Sequence, residues 1–500
     1  MDEEGTIVVG GGTCGAAIAG RLAESGQSVV LIEAGPDFGP FDSGRWPARL
    51  IDPSLMPIDL HSWHYANDGQ HGRTGMSMQR ARVIGGCSSH NGCAVVWGHR
   101  SDYDGWADLG NTGWGADDVT PFFRSANERF RVNVPDRTEI TPFHQAVLDS
   151  ASAAGLPPIA DFSDLDIEHG LGIGPVNISG LTRWNAAFAY VDPVRDLANF
   201  SLESQTMANR VLIKHGRASG VEVTGPDGIR TIRASRVILA GGAYGTPLLL
   251  QRSGIGDPSN LEAAGIEVAH SLPGVGKNLQ DHPAAAVKYS GTPELTAMLD
   301  AFVANGGLPR EEGTIALASS RRCEGPFDLH LYPIAHRNGP GDWDIFIGAA
   351  VMASRSTGQV RVLSGDPESA PLIEHRYVTD PEGYDLDGLV DGVRQARDLA
   401  SQQPLASLIG QETFPGESIE SDEALRALIP AISEHDYHPT STCKMGRTDD
   451  PSSVVDATAR VPGIEGLLIG DASIMPNVPK ANTNLPALMV AEKIAAGLLR

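Results

Sequence analysis

The sequence predicts an α/β fold, α+β overall, in which a nucleotide-binding domain is split along the chain and a second domain is inserted into it. Three stretches carry this. "TIVVGGGTCGAAIAGRLAESGQSVVLIEAG", from Thr6, reads as strand, glycine-rich turn, helix and strand. "RVILAGGAYGTPLLLQRSGIG", from Arg236, reads as another strand, glycine turn and helix. "GLLIGDASIMPNVPKANTNLPALMVAEKIAAG", from Gly466, reads as a strand, Gly-Asp, a loop, and a helix from about Leu485. Rossmann-like pieces thus stand at the start, middle and end of the chain.

In the first stretch, Thr6 to Val9 is an apolar, β-rich strand, Ala16 to Ala23 has helical apolar spacing, and Val29 to Ile32 is a second buried strand. Between strand and helix lies Gly10-x-Gly12-x-x-Gly15. Gly10 makes the tight turn, Gly12 lets a pyrophosphate approach the backbone, and Gly15 lets helix and strand pack closely. The helix N-terminus offers free N–H groups and a positive dipole end to the phosphates. Glu33 ends the second strand, where a carboxylate accepts hydrogen bonds from ribose hydroxyls. The glycines alone do not distinguish FAD from NAD.

Between these pieces, Val134 to Val176 and Ala284 to Asp436 read as less regular and richer in Pro and Gly. No internal repeat or low-complexity tract stands out. A chain of 500 residues calls for two or more domains. Hydrophobic content of 41% and charged content of 20% describe a soluble globular protein. The net charge of −24 repels nucleic acid, and no basic run offsets it. Five scattered cysteines, an odd number, argue against a disulfide framework. The Met1–Gly5 stretch lacks the basic and apolar regions of a signal peptide, and no apolar run has the length of a membrane span. The expected location is cytoplasmic.

"IGGCSSHNGC", from Ile84, is open to several readings on its residues alone. Cys87, His90, Cys93 and His99 form Cys-x2-His-x2-Cys-x5-His, a possible ligand set, but spacing alone does not make a tetrahedral site. The double glycine suggests close approach to a cofactor. His90 is otherwise a packing histidine, and Cys87 and Cys93 small buried fillers.

Taken together, the N-terminal glycine motif, "RARVIGGCSSHNG" with "DYDGW" after it, "GGAYGTPLLLQRSGIG", "LPGVGKNLQDHP", "YHPTSTCKMG" and "GDASIMPNVPKANTN" resemble the glucose–methanol–choline (GMC) flavoprotein oxidoreductases over essentially the whole chain. The resemblance implies FAD, a Rossmann-like FAD-binding domain from residues 1–133, 177–283 and 437–500, and a substrate domain from residues 134–176 and 284–436 built on an antiparallel sheet flanked by helices. It implies hydride transfer from an alcohol to flavin N5. Within the family, "GGCSSHN" and Tyr437-His438-Pro439 are most similar to the members that oxidise choline. In those, the histidine of the Ser-Ser-His-Asn run is bonded to the flavin, which assigns a covalent link to His90 and sets the metal reading aside. Gly86 and Asn91, Gly92, Cys93 and Ala94 are then expected along the flavin. Thr13, Cys14, Trp63, Ala81, Ala208, Tyr437, Asp471, Ala472 and Thr483 match cofactor-contacting positions.

The chain has 15 histidines, so a single one signals little. By the resemblance His438 is the active-site histidine, accepting or positioning the alcohol proton, and Asn482 holds the oxygen. The helix from Leu485 points its N-terminus to the flavin edge that becomes negative on reduction.

The substrate does not carry over. The glutamate that pairs with the choline cation is Ala284 here, the serine after "SSHN" is Gly92, a second histidine is Tyr332, and no aromatic box is aligned. Asp436 replaces a valine. It either faces the site or turns away to pair with a neighbour such as His435. The expectation is a neutral primary or secondary alcohol oxidised by an oxidase using O2. The alternatives are a dehydrogenase with a quinone or other acceptor, and a hydroxynitrile lyase with structural FAD. The protein is expected to be a monomer or homodimer without a metal.

Overall fold

The computed structural model describes residues 5–67, 69 and 75–499. The Met1–Glu4 stretch, on which part of the no-leader expectation rested, lies outside the described residues. A five-stranded parallel sheet runs in the order Leu467–Ile469, Arg236–Leu239, Thr6–Val9, Val29–Ile32, Phe200–Glu203. In the centre Val8 stands between Ile238 and Leu31. The strands Thr6–Val9 and Val29–Ile32 are buried along their whole length, which is why they read as continuous apolar runs.

The first helix, Thr13–Glu24, packs against the last, Asn484–Leu498. Gly15 sits where no side chain fits: a Cβ there would lie 1.8 Å from the Gly10 carbonyl oxygen. An antiparallel three-stranded sheet, Met207–Lys214, Arg217–Gly225 and Gly228–Arg233, extends this half.

The second half is built on an antiparallel sheet ordered Ile409–Phe414, Pro283–Gly291, Asp342–Val351, Leu329–Gly339, Thr314–Ala318, Gly170–Ile173, with Glu434–His435 paired to the start of Pro283–Gly291. Here the sequence reading is corrected. The region taken as less regular holds the strands Leu329–Gly339, 11 residues, and Asp342–Val351, 10 residues. Their period-2 pattern is masked because both faces are covered. Ala285, Val287, Leu331, Ala335, Ile345 and Ile347 join a core with the helices Tyr384–Ala400 and Pro142–Ala153. Their neighbours Ala284, Ala286, Tyr332, Ile334 and Phe346 face a cavity on the other side. Gly348 is the floor for Tyr332: a Cβ there would stand 2.1 Å from the ring. Among the described residues no helix is long and apolar enough to cross a membrane.

Candidate active site

A cavity of about 600 Å³ lies between the two halves and adjoins a second of about 400 Å³ along Gly12, Trp63, Ala81 and Gly86. At the junction two backbones face each other: a Cβ on Gly86, whose φ is +57°, would lie 2.6 Å from the Gly12 Cα. The first helix starts at this point with Gly12 as its N-cap and no capping side chain, so its end N–H groups are free for an anion.

Gly10, Glu33 and Ala208 line the second cavity. Glu33 is held by backbone N–H groups of Gly11 (2.8 Å) and Gly35 (2.7 Å), and its other lone pairs remain for a ligand. Thr13, Cys14, Tyr437 and Thr483 line the first cavity, as do Asp471 and Ala472. Asp471 also knits two turns, accepting from Gly242 N (2.8 Å), Thr246 Oγ1 (2.5 Å) and Ser473 N (2.8 Å). Gly15 alone of the expected cofactor residues lines neither cavity; its work is the helix–strand contact.

His90 and Asn91 to Ala94 form one wall of the first cavity. Arg183, fully buried, ties this loop down by donating to the carbonyls of Asn91 (3.0 Å), Ser89 (3.2 Å) and Leu50 (2.8 Å), and to Leu55 O. His90 is only 3% exposed, and burial lowers its pKa to about 4, so the ring is neutral. Its Nε2 is buried without a partner. Cys93 is a buried filler, but Cys87 is half-buried and lines the cavity, contrary to the reading of both as fillers. A trough free of side chains at its narrowest point, an acid at its far end and unpartnered polar atoms at His90, Asn482 and Asn484 suit a dinucleotide with a flavin at the His90 end.

His438 and Asn482 both reach the first cavity. Tyr437, just before His438, has φ +59°, a conformation costing roughly 1–3 kcal/mol outside glycine. Arg80 holds it by donating to Tyr437 O at 2.9 Å. Asp281, 3% exposed, accepts from the backbone N–H of His438 (2.9 Å) and of His282 (2.8 Å) and from Tyr377 Oη (2.9 Å).

The two imidazoles meet Nδ1 to Nδ1 at 3.0 Å, and Asp436 Oδ2 lies 3.3 Å from the same His438 nitrogen. Asp436 therefore does not turn away to His435. Burial alone disfavours a charged His438, but the surrounding acids, Asp436 first and then Asp281 and Glu312, together outweigh it and raise the His438 pKa above the ordinary value. Burial likewise works against an ionised Asp436, yet His438 takes it down to about 2. His282 is driven down to about 3 by burial and then by the His438 charge. Among the described residues, His282, Asp436 and His438 are a group close enough to share a metal ion. The 3.0 Å nitrogen contact already serves as a hydrogen bond.

The substrate side carries the main correction. No carboxylate was expected where Ala284 replaces glutamate, and Ala284 is indeed a buried wall residue. Yet Glu311, Glu312, Glu434 and Asp436 all line the cavity. Gly92 adjoins Glu311: a Cβ there would make an ordinary van der Waals contact with Glu311 Cβ at 3.5 Å. Glu311 turns to His336 Nδ1 at 2.8 Å. Glu312 Oε1 accepts from Asn482 Nδ2 at 3.4 Å, while its Oε2 is buried without a hydrogen bond. Burial first, then the Asp436 charge, push Glu312 up to about 8. Tyr332 also faces this space. Sequence reasoning missed Glu311 and Glu312, which carry no motif. It also missed His282 and Asp281, for which "DHP" was an available signal.

Comparison with known proteins gives the family. The family described as GMC oxidoreductase matches residues 5–284 in its N-terminal part and residues 354–491 in its C-terminal part. Choline oxidase of Arthrobacter globiformis is 34% identical over 98% of this chain and 93% of its own length. Mitochondrial choline dehydrogenase of Homo sapiens is 34% identical over 99% of this chain and 89% of its own. The crystal structure of pyridoxine 4-oxidase from Mesorbium loti superposes with a TM-score of 0.86 at 25% identity, covering 99% of both chains. The chain belongs to the GMC oxidoreductase family and is an FAD-dependent oxidoreductase.

Proposed function

We propose that this chain oxidises an alcohol to an aldehyde or ketone, with His438 managing the hydroxyl proton, Asn482 holding the oxygen, and O2 taking the electrons in the end. The observation that carries the reading is the pairing of His438 with Asp436 and His282 beside Asn482 in one cavity. Bound FAD supplies the hydride acceptor. The protein's part is to orient the carbon and to accept the hydroxyl proton on His438 as the carbonyl forms. His282 Nε2 lies 3.1 Å from Pro479 O, which only accepts, so that nitrogen bears a proton. A neutral His282 then offers a lone pair at Nδ1, and the proton between the rings belongs to His438 Nδ1. In neutral His438, Nε2 is left as the base. The free Nε2 of neutral His90 supports a covalent bond to the flavin, since a lone pair is what such a bond needs.

The neutral-alcohol expectation rested on the glutamate replaced at Ala284 and on the unaligned aromatic box; Glu312, which also lines the cavity, weakens the first of these grounds. O2 is favoured by the likeness to choline oxidase, and a non-O2 acceptor by the equal likeness to choline dehydrogenase. An anaerobic alcohol panel tests the reading. Some alcohol should bleach the oxidised flavin, and admitting air should restore it with peroxide. Bleaching reversed only by a dye acceptor would indicate the dehydrogenase. Absence of bleaching with every alcohol would overturn oxidation and favour the lyase.

A further inference from the structure

We infer that the alcohol is also a protonated amine bearing at least one N–H, read by Glu312 and Asn482, rather than a neutral alcohol or a quaternary ammonium. The inference rests on the alcohol-oxidation reading. It starts from an imbalance of hydrogen-bonding groups. Glu312 Oε2 and Asn482 Oδ1 are buried acceptor atoms with no hydrogen bond, whereas Asp436 Oδ2 is already matched to His438 at 3.3 Å. Asn482 as a residue is only 7% exposed and lines the cavity. Each orphaned acceptor costs roughly 1–3 kcal/mol unless a ligand supplies a donor. An alcohol hydroxyl supplies one donor. A second class of donor is required, and an ammonium N–H is the one that also matches the charge.

The charges point the same way. Of the carboxylates around the cavity, Glu311 is engaged by His336, and Asp436 balances His438. Glu312 accepts from Asn482 Nδ2 at 3.4 Å through Oε1, and its Oε2 stands 3.8 Å from Nε2 of His330, a ring that burial keeps neutral. Of the cations that line the cavity, Arg80 donates to Tyr437 O, and Lys288 stands at its rim on the exposed part of its strand.

The pattern also discriminates against a quaternary ammonium. Such a cation has no N–H for the orphaned oxygens and is best held by several aromatic faces. On the sheet side of the cavity Tyr332 and Phe346 alternate with Ala284, Ala286 and Ile334, so aliphatic surface dominates there.

Glu312, raised to about 8, is protonated at neutral pH when no cation is present. Binding of an ammonium stabilises its ionised form. Binding at neutral pH should therefore release a proton to solvent, and a neutral alcohol should release none.

The experiment uses the holoenzyme and three alcohols: 2-(dimethylamino)ethanol, its neutral carbon analogue 3-methylbutan-1-ol, and choline. A charge-assisted hydrogen bond is worth about 1.5–3 kcal/mol, so kcat/KM for the amine should exceed that for the neutral analogue and for choline by ~10-fold or more. Glu312→Gln should lower the amine-to-neutral ratio ~10-fold or more for the same reason. The second readout needs no turnover and no variant. N,N-dimethylpropylamine, which lacks the hydroxyl, should bind the wild-type enzyme in calorimetry more tightly than tetramethylammonium, with release of a proton. If 3-methylbutan-1-ol or choline reduces the flavin as well as the amine does, or the hydroxyl-free amine binds no better than tetramethylammonium, the inference fails while alcohol oxidation stands. If no alcohol reduces the flavin, the oxidation reading fails and takes the inference with it.

Discussion

His282 and His438 face each other through their Nδ1 atoms at 3.0 Å, and Asp436 Oδ2 approaches the His438 nitrogen at 3.3 Å. The Pro479 carbonyl decides who owns the shared proton. By accepting from His282 Nε2 at 3.1 Å, it leaves His282 Nδ1 as an acceptor and His438 Nδ1 as the donor. Asp281 anchors both residues through their backbone N–H groups.

Asp436→Asn should shift the acid limb of the kcat/KM profile to lower pH. As the base, His438 must be neutral, so activity rises as pH climbs through its pKa. Asp436 is the first of the acids that hold that pKa above the ordinary histidine value, and removing its charge lets it fall. An unmoved limb would show that His438 is not the group titrating in catalysis.

His438→Ala should slow flavin reduction at least about a hundredfold, the usual scale for a positioned acid–base group. Anaerobic stopped-flow reduction measures this directly. Binding of N,N-dimethylpropylamine in the same variant separates lost chemistry from a collapsed site. Near-normal reduction would remove His438 from its role.

Acid precipitation of the wild-type enzyme should leave the yellow colour in the pellet, because a flavin bonded to His90 stays with the chain. In His90→Ala the colour should pass wholly to the supernatant. Colour in the wild-type supernatant would exclude the bond.

Gly15→Ala should destabilise the protein by about 1–3 kcal/mol or more, the scale of overpacking, since the new methyl meets a backbone oxygen that cannot give way. Gly105→Ala is the control. It lies in the helix Arg100–Asp108 with nothing within 4 Å of the added carbon, and should be neutral or stabilise by up to about 1 kcal/mol. Urea midpoints compare the two, and FAD retained after gel filtration reports on the cofactor site. Equal midpoints would contradict the packing role given to Gly15.

The cofactor half was legible because its signals are local. Gly10, Gly12 and Gly15 fall within six positions of one another, and the strands beside them are buried on both faces. Their chemistry is written in one window of sequence. His438 and Asn482 were legible only through resemblance, since neither differs in composition from other His and Asn residues. Asp436 was visible as a position but not as a contact. Its bond to His438 depends on a Tyr437 backbone turned to positive φ and held by Arg80 from far away in the chain.

By itself the sequence determined the split nucleotide-binding half, the family and the run around His90, because glycine spacing and apolar strands act over a few residues. Only the tertiary structure decided the charge of the substrate cavity. Carboxylates reach the cavity from distant positions: Glu312 lies 170 positions before its partner Asn482, and Glu434 stands across the strand pair from Ala284. Gly92 lies beside Glu311, at ordinary contact distance. Coulomb forces act through space, while motifs are read along the chain, so an acidic cavity assembled from loops and strand partners leaves no local pattern to find.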